Sequence, residues 1–325
     1  MSMLFNETYI HILDTSIDLP VLSTSPLVLS DETEALITSY FVNLFDNHSV
    51  SKGHFTENSP YQATLIQDPF DLLPFSLEVT QALFAFMQTT PSVPSGDLIF
   101  STFNRDGVPF VGILKINYKE AFTHFVSQGD SGQITSLIKH KSIFPDVTSK
   151  LQEAVVINLE TLECLVLNTL RVKYLHDFFG IGLTLSVKEQ IKVVEQVVSH
   201  AIEENFENKI EGISFAKNNI AKSIDSSQSL ELETILEDTF GEHETIISSC
   251  LEACQKQGVL EKKIDVPQPQ KLHKQYTSHK LKTNTGIELK LPTDMLTDPE
   301  TIEFINNPDG TLSILIKNIA QLINK

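Results

Sequence analysis

The chain of 325 residues has no tryptophan, only three cysteines (Cys164, Cys250 and Cys254) and no run approaching the roughly 20 apolar residues that a membrane-crossing helix needs. An odd, sparse cysteine set argues against a disulfide framework and points to a reducing compartment, the cytoplasm being the simplest reading. Met1–Ile10 carries Glu7 and neither lysine nor arginine, so it lacks the basic start and apolar run of a secretory leader. Neither export nor membrane insertion is expected. Also missing are a GxxxxGK[ST] phosphate loop, an HExxH helix and a GxSxG elbow, the usual carriers of nucleotide hydrolysis, zinc proteolysis and esterase chemistry.

What is present suffices for a folded protein. The sequence is 41% hydrophobic with 20 phenylalanines, enough apolar surface to offset chain entropy unaided by metals or disulfides. Its length predicts two or three compact units. The formal net charge of −18 is unevenly spread. Residues 1–80 hold 11 acids against Lys52 alone, 81–194 balance ten against ten, and 195–252 hold 13 acids against Lys209, Lys217 and Lys222. The sign reverses over residues 256–290, where eight lysines face three acids, a net of +5. Such a total repels polyanions at long range, so only that segment could welcome a phosphate backbone.

The patterning predicts an α+β fold in three parts: an N-terminal mixed domain with antiparallel hairpins (1–180), a helical region (181–265) and a small β-rich C-terminal unit (266–325). A strand is expected at Tyr9–Leu13, with a return through Pro20–Ser23. A helix follows, with a capping box at Asp31 and Glu34 and a face of Ile37, Tyr40, Phe41 and Leu44. A second runs near Phe75–Gln88, presenting Leu77, Phe84 and Met87. Asp97–Phe103 and Val108–Tyr118 flank the turn Asn104–Gly107 as a hairpin, with Pro109 at a strand start or outer edge. Ala121–Val126 is expected to add a third strand, and Ala154–Leu159 to pair with Cys164–Asn168. A short helix at Tyr174–Phe179 should close on Gly180. Ser186 and Glu189 form a capping box ahead of Ile191, Val194, Val198, Ile202 and Phe206. Further helices are predicted at Leu230–Phe240 and Glu244–Gln257. The terminal unit should pair Thr301–Ile305 with Thr311–Ile316, contain an alternating strand at Ile287–Leu291, and end in a helix using Ile319, Leu322 and Ile323.

Few residues carry a chemical signal. Lys262, Lys263, Lys271, Lys274, Lys280 and Lys282 are the candidate nucleic-acid contacts, because ammonium groups replace the counterions condensed on a phosphate backbone. The stretch has no arginine for bidentate guanine readout and only Tyr276 to stack on a base, so any such binding would be sequence-tolerant. A solvated lysine-rich linker offsetting acidic neighbours is the competing reading. Cys250 and Cys254 lie i, i+4 on a helix, but no companion pair supplies four zinc ligands, which favours buried free thiols. His273 and His279 sit among lysines and read as solvated. His176 and Asp177 are helical neighbours about 100° apart, not expected to face each other. Gly180-Ile181-Gly182 lacks the third glycine of a dinucleotide fingerprint, Leu185 standing in its place. No catalytic residue, metal ligand or cofactor is therefore assigned.

Several short stretches occur in a characteristic order: His11-Ile12-Leu13-Asp14 with Pro20-Val21-Leu22-Ser23, the Asp97–Tyr118 hairpin, and Phe178-Phe179-Gly180. His279-Lys280-Leu281-Lys282-Thr283 then runs into Thr285-Gly286-Ile287-Glu288-Leu289-Lys290-Leu291-Pro292, and Phe304–Leu312 ends the series. From end to end this order resembles the NdpA family of bacterial nucleoid-associated proteins. The resemblance implies a cytoplasmic, nucleoid-associated, non-enzymatic protein that binds DNA weakly or binds chromosome-associated proteins. An acidic module docking onto basic partners without touching DNA is the alternative. Self-association through apolar helical faces is compatible with either.

Overall fold

The computed structural model describes residues 3–129, 132–140, 144–145, 151–206, 209–270, 272, 278–292, 295, 298 and 300–321. They form two compact units, Met1–Thr184 and Leu185–Lys325. The fold is α+β and, among the described residues, every strand pairing is antiparallel.

The first unit runs β1 (Met3–Leu13), α1 (Asp31–Phe45), β2 (Val50–Phe55), α2 (Gln62–Leu65), α3 (Leu72–Thr89), β3 (Gly96–Arg105), β4 (Val108–Asn117), β5 (Ala121–Gly129), β6 (Gly132–His140), β7 (Glu153–Asn158), β8 (Glu163–Asn168), α4 (Leu175–Phe179) and β9 (Ile181–Leu183). Seven strands make one sheet in the order β1-β3-β4-β7-β8-β2-β9. Its central strands are apolar at nearly every position because both faces are covered, and period-two alternation sorts them. Leu98, Phe100, Val111, Ile113, Val155, Ile157, Cys164 and Val166 pack on one side with Leu72, Phe75, Val79, Leu83 and Met87 of α3. Ile99, Phe103, Leu114, Ile116, Ala154, Val156 and Leu167 pack on the other with Ile37, Tyr40, Phe41 and Leu44 of α1. Pro109 stands second in β4, where its missing N–H is tolerated.

Local chemistry sets the helix ends. In α1 the N-cap is Ser30, whose hydroxyl accepts from the Thr33 amide while Thr33 reaches back to the Ser30 amide. The box expected at Asp31 and Glu34 is therefore displaced by one residue. Asp31 is already helical, and the acids of that first turn complement the positive end of the helix dipole. In α3 the buried stripe is Leu72, Phe75, Val79, Leu83 and Met87, and Leu77 lies off it. The helix begins earlier than the periodicity suggested, because Asp71 caps the Leu73 amide and Pro74 falls in the first turn, where no intrahelical donor is needed. Gly180 closes α4 at φ 65°, as expected; a Cβ there would come within 2.7 Å of Ser59 Cα.

The predicted third strand, Ala121–Val126, does not join the main sheet. It belongs to β5, which pairs along its length with β6 to make a separate two-stranded ribbon.

The second unit comprises α5 (Val187–Asn205), α6 (Lys209–Ser227), β10 (Ser229–Glu231), α7 (Leu232–Phe240), α8 (Glu244–Lys256), β11 (Lys263–Asp265), β12 (Ser278–Lys282), β13 (Glu288–Pro292), β14 (Ile302–Asn306) and β15 (Leu312–Ile316). The four helices pack in a ring, each on the next and α8 back on α5. Their core holds Ile191, Val194, Val198, Ile202, Ile220, Ile224, Ile235, Leu236, Phe240, Cys250 and Cys254. The capping box of α5 is formed as expected: Ser186 Oγ accepts from the Glu189 amide at 3.3 Å and Glu189 Oε2 from the Ser186 amide at 3.0 Å. The paired ribbons β10–β11, β12–β13 and β14–β15 complete the unit. Of the expected terminal helix, Ile319 is non-helical, and Leu322 and Ile323 lie outside the described residues.

Candidate contact surfaces

Three of the six candidate lysines stand on two ribbons, Lys262 immediately precedes one of them, and the other two, Lys271 and Lys274, lie outside the described residues. Lys263 stands directly across from Glu231 in the β10–β11 register and pairs with it at 3.3 Å; Lys262 Nζ reaches Glu233 at 2.5 Å. On β12–β13, Lys282 faces Glu288 at 3.0 Å. Lys280 is opposite Lys290, two exposed cations on the same face of the ribbon. Three of these four lysines therefore lie against the chain's own carboxylates. Exposed pairs of this kind are worth at most about 1 kcal/mol each, so they hold no lysine rigidly, yet each cancels the local positive field.

A second surface is a groove of about 670 Å³ between α5 and α8. Val197 and Ala201 from α5 meet Ile246, Cys250 and Ala253 from α8 along it, and Gln196, His200, Glu204, Ser249 and Gln257 supply polar lining. The residues recur at i, i+4 and i+8 on both helices, and their small size at Ala201, Ser249 and Ala253 keeps the furrow open. The periodicity that revealed the α5 core face gave no hint of it, because Val197 and Ala201 sit beside that face.

The remaining chemistry-bearing residues are occupied structurally. Cys250 and Cys254 are buried, and burial pushes both thiols up to about 11, far from the thiolate form. His176 Nε2 approaches Asp177 Oδ1 at 3.4 Å, contrary to the expectation that neighbours on a helix would point apart. The five-residue α4 is short and Asp177 is largely solvent-exposed, so the pair is a surface contact. His273 lies outside the described residues, and His279 lies on β12. Gly180-Ile181-Gly182 leads into strand β9, which pairs with β2, and so cradles no phosphate.

Sequence reasoning did not single out the buried ion pair Lys115–Glu153, cross-strand partners on β4 and β7 at 3.1 Å, with side chains 2% and 0% exposed. Lys115 also donates to Pro94 O at 2.7 Å and to Asn117 Oδ1, and Asn117 Nδ2 donates to the same glutamate at 2.6 Å. Burial draws the ammonium below its ordinary range, opposed by the glutamate beside it. A lysine in a strand of hydrophobics was the available signal.

The family profile described as nucleoid-associated protein YejK matches residues 10–323. Comparison with curated proteins finds no match. The profile spans both units, the sheet as well as the acidic helical ring and its ribbons, and agrees with the resemblance read from the ordered motifs. The chain belongs to the nucleoid-associated protein YejK family.

Proposed function

We propose that the protein acts by binding at the bacterial nucleoid, in the cytoplasm, and that it reaches the chromosome mainly through basic, chromosome-associated proteins docked on its acidic helical unit. The observation that carries this reading is the pairing of Lys262, Lys263 and Lys282 with Glu233, Glu231 and Glu288. Those pairs remove most of the positive field that a phosphate backbone would need, while residues 195–252 keep 13 acids against three lysines. The α5–α8 groove, with an apolar floor and Glu204 on its lining, suits a lysine- and arginine-rich amphipathic helix. A labelled peptide of that design tests it by fluorescence anisotropy on the full chain. Binding should weaken with salt and fall at least tenfold in the variant Glu204→Gln/Ala201→Trp, which removes a rim charge and fills the furrow. A peptide that binds both proteins equally, or neither, overturns this docking site.

Direct DNA contact through Lys262, Lys263, Lys271, Lys274, Lys280 and Lys282 is the second reading. It is favoured by Lys280 facing Lys290, since like charges directly across a ribbon are costly unless an anion lies over them. Its expectation is a salt-sensitive gel shift lost on reversing Lys280, Lys282 and Lys290 to glutamate; a shift that survives the reversal rules that ribbon out.

A further inference from the structure

The groove between α5 and α8 carries one carboxylate, Glu204, and one imidazole, His200, in its lining. They stand i, i+4 on α5, and His200 Nε2 lies 3.4 Å from Glu204 Oε1. Both side chains are exposed, so each meets solvent and any chain laid in the furrow. The opposite wall is Thr245, Ile246, Ser249, Cys250, Ala253 and Gln257 of α8, none of them charged. Burial pushes the Cys250 thiol up to about 11, which keeps it neutral at physiological pH. Among the described residues α6 and α7, which pack on α5 and α8, place nothing in the lining. The nearest charges off the lining are Glu203, beside Glu204 on α5, and Glu252 of α8, which is paired with Lys256 at 3.6 Å. His243 is the one other histidine of residues 185–265, and its ring packs edge-on against Phe206 at the start of α8.

We infer that His200 is a pH-sensitive switch on this groove: protonated, it cancels the charge of Glu204 and disfavours a cationic helix; neutral, it leaves the carboxylate free to receive one. This rests on the docking site proposed above and adds its regulation. Imidazole is the side chain whose charge changes between about pH 5 and 8, whereas carboxylates stay ionised and lysine and arginine stay protonated there. One proton therefore takes the lining from a single net negative charge to none. The 13 acids against three lysines of residues 195–252 keep their charge over the same range, so the long-range attraction for a basic helix persists and only the contact changes. An imidazolium on this rim stands within a few ångströms of the incoming cation, and like charges that close at a protein surface weaken binding about tenfold. The His200–Glu204 contact is exposed and lies within one helix, so its protonation matters little to the fold and is read by the ligand.

Fluorescence anisotropy on the full chain tests this with a labelled, N-acetylated and C-amidated amphipathic peptide of arginine and leucine, whose own charge is fixed. At constant ionic strength the wild-type Kd should rise about tenfold between about pH 8 and about pH 5.5, with an unchanged circular dichroism spectrum. His200→Gln should bind equally well at both values, and His243→Gln should behave as the wild type. His200→Lys, a cation throughout, should bind at the higher pH as weakly as the wild type does at the lower. A wild-type Kd that does not move with pH overturns the switch and leaves the docking site standing. So does a rise that survives in His200→Gln or disappears in His243→Gln, or a His200→Lys chain that binds as tightly as the wild type at the higher pH. A peptide that binds the wild type at neither pH sinks the docking site itself, and the switch with it.

Discussion

The protonation state of His11 follows from its neighbours. Its Nδ1 accepts from the Ser23 amide at 3.1 Å, and the Ser76 hydroxyl gives its one proton to Leu73 O at 2.8 Å. Ser76 Oγ must then accept from His11 Nε2 at 3.0 Å, so the ring is neutral with its proton on Nε2. Burial lowers the pKa from its ordinary 6.5 to about 4. The folded value lies below the unfolded one, so the unfolded chain takes up the proton first on acidification. This site's contribution is complete above pH 6.5, is lost as pH falls toward 4, and changes no further below that. The loss amounts to about 3 kcal/mol at most. Urea titrations from pH 7 to 4 should show His11→Gln losing less stability across that window than the wild type; parallel curves would exclude His11 as the cause. The Lys115–Glu153 pair belongs to the same scale. Its desolvation is opposed by its own 3.1 Å contact and by the neighbouring amide and carbonyl, and a buried ion pair so balanced is weak evidence of net stabilisation.

At the scale of elements, the seat of α1 on the sheet is set by a missing side chain. A Cβ on Gly112 of β4 would stand 2.1 Å from Phe41 Cε1 and 3.0 Å from Phe103 Cε1, against the two tilted rings that pack together on that face. Gly112→Ala should therefore destabilise the protein by about 1–3 kcal/mol in denaturant unfolding, partly relieved by Phe41→Leu. An unchanged midpoint would mean that α1 yields freely. Elements with strong local signals were legible in the sequence: the turn at Asn104–Gly107, the Ser186 box, the glycine closing α4. Others were not. β2 is a six-residue strand containing Lys52, Gly53 and His54, and α6 carries Gly212, Asn218, Asn219 and several serines, all weak formers of the structure they adopt. Tertiary packing decides both. β6 gives no strand signal in sequence because its apolar residues, Ile134, Leu137 and Ile138, follow no period-two alternation, on a ribbon that buries neither face. The six lysines were legible as a charge run, but the carboxylate partners of Lys262, Lys263 and Lys282 lie 6 to 32 residues away in sequence, and only the folded ribbons bring them together.

On the scale of the whole molecule, charge governs what can approach. A net charge of −18, with −10 over residues 195–252 alone, attracts basic proteins and repels a duplex at low ionic strength, where screening is weakest. On the proposed function, the groove on the helical ring is where a basic helix docks. Membership of a nucleoid-associated family and strong acidity are compatible when the contact with the chromosome is made through proteins. The most direct measurement is a titration of labelled duplex DNA with the purified full chain at low salt, alone and after addition of a basic nucleoid protein already bound to that DNA. The account predicts no retention of bare DNA and a further shift of the protein-coated DNA. Retention of bare DNA that falls steeply with salt and vanishes on reversal of Lys262, Lys263, Lys280 and Lys282 would contradict it.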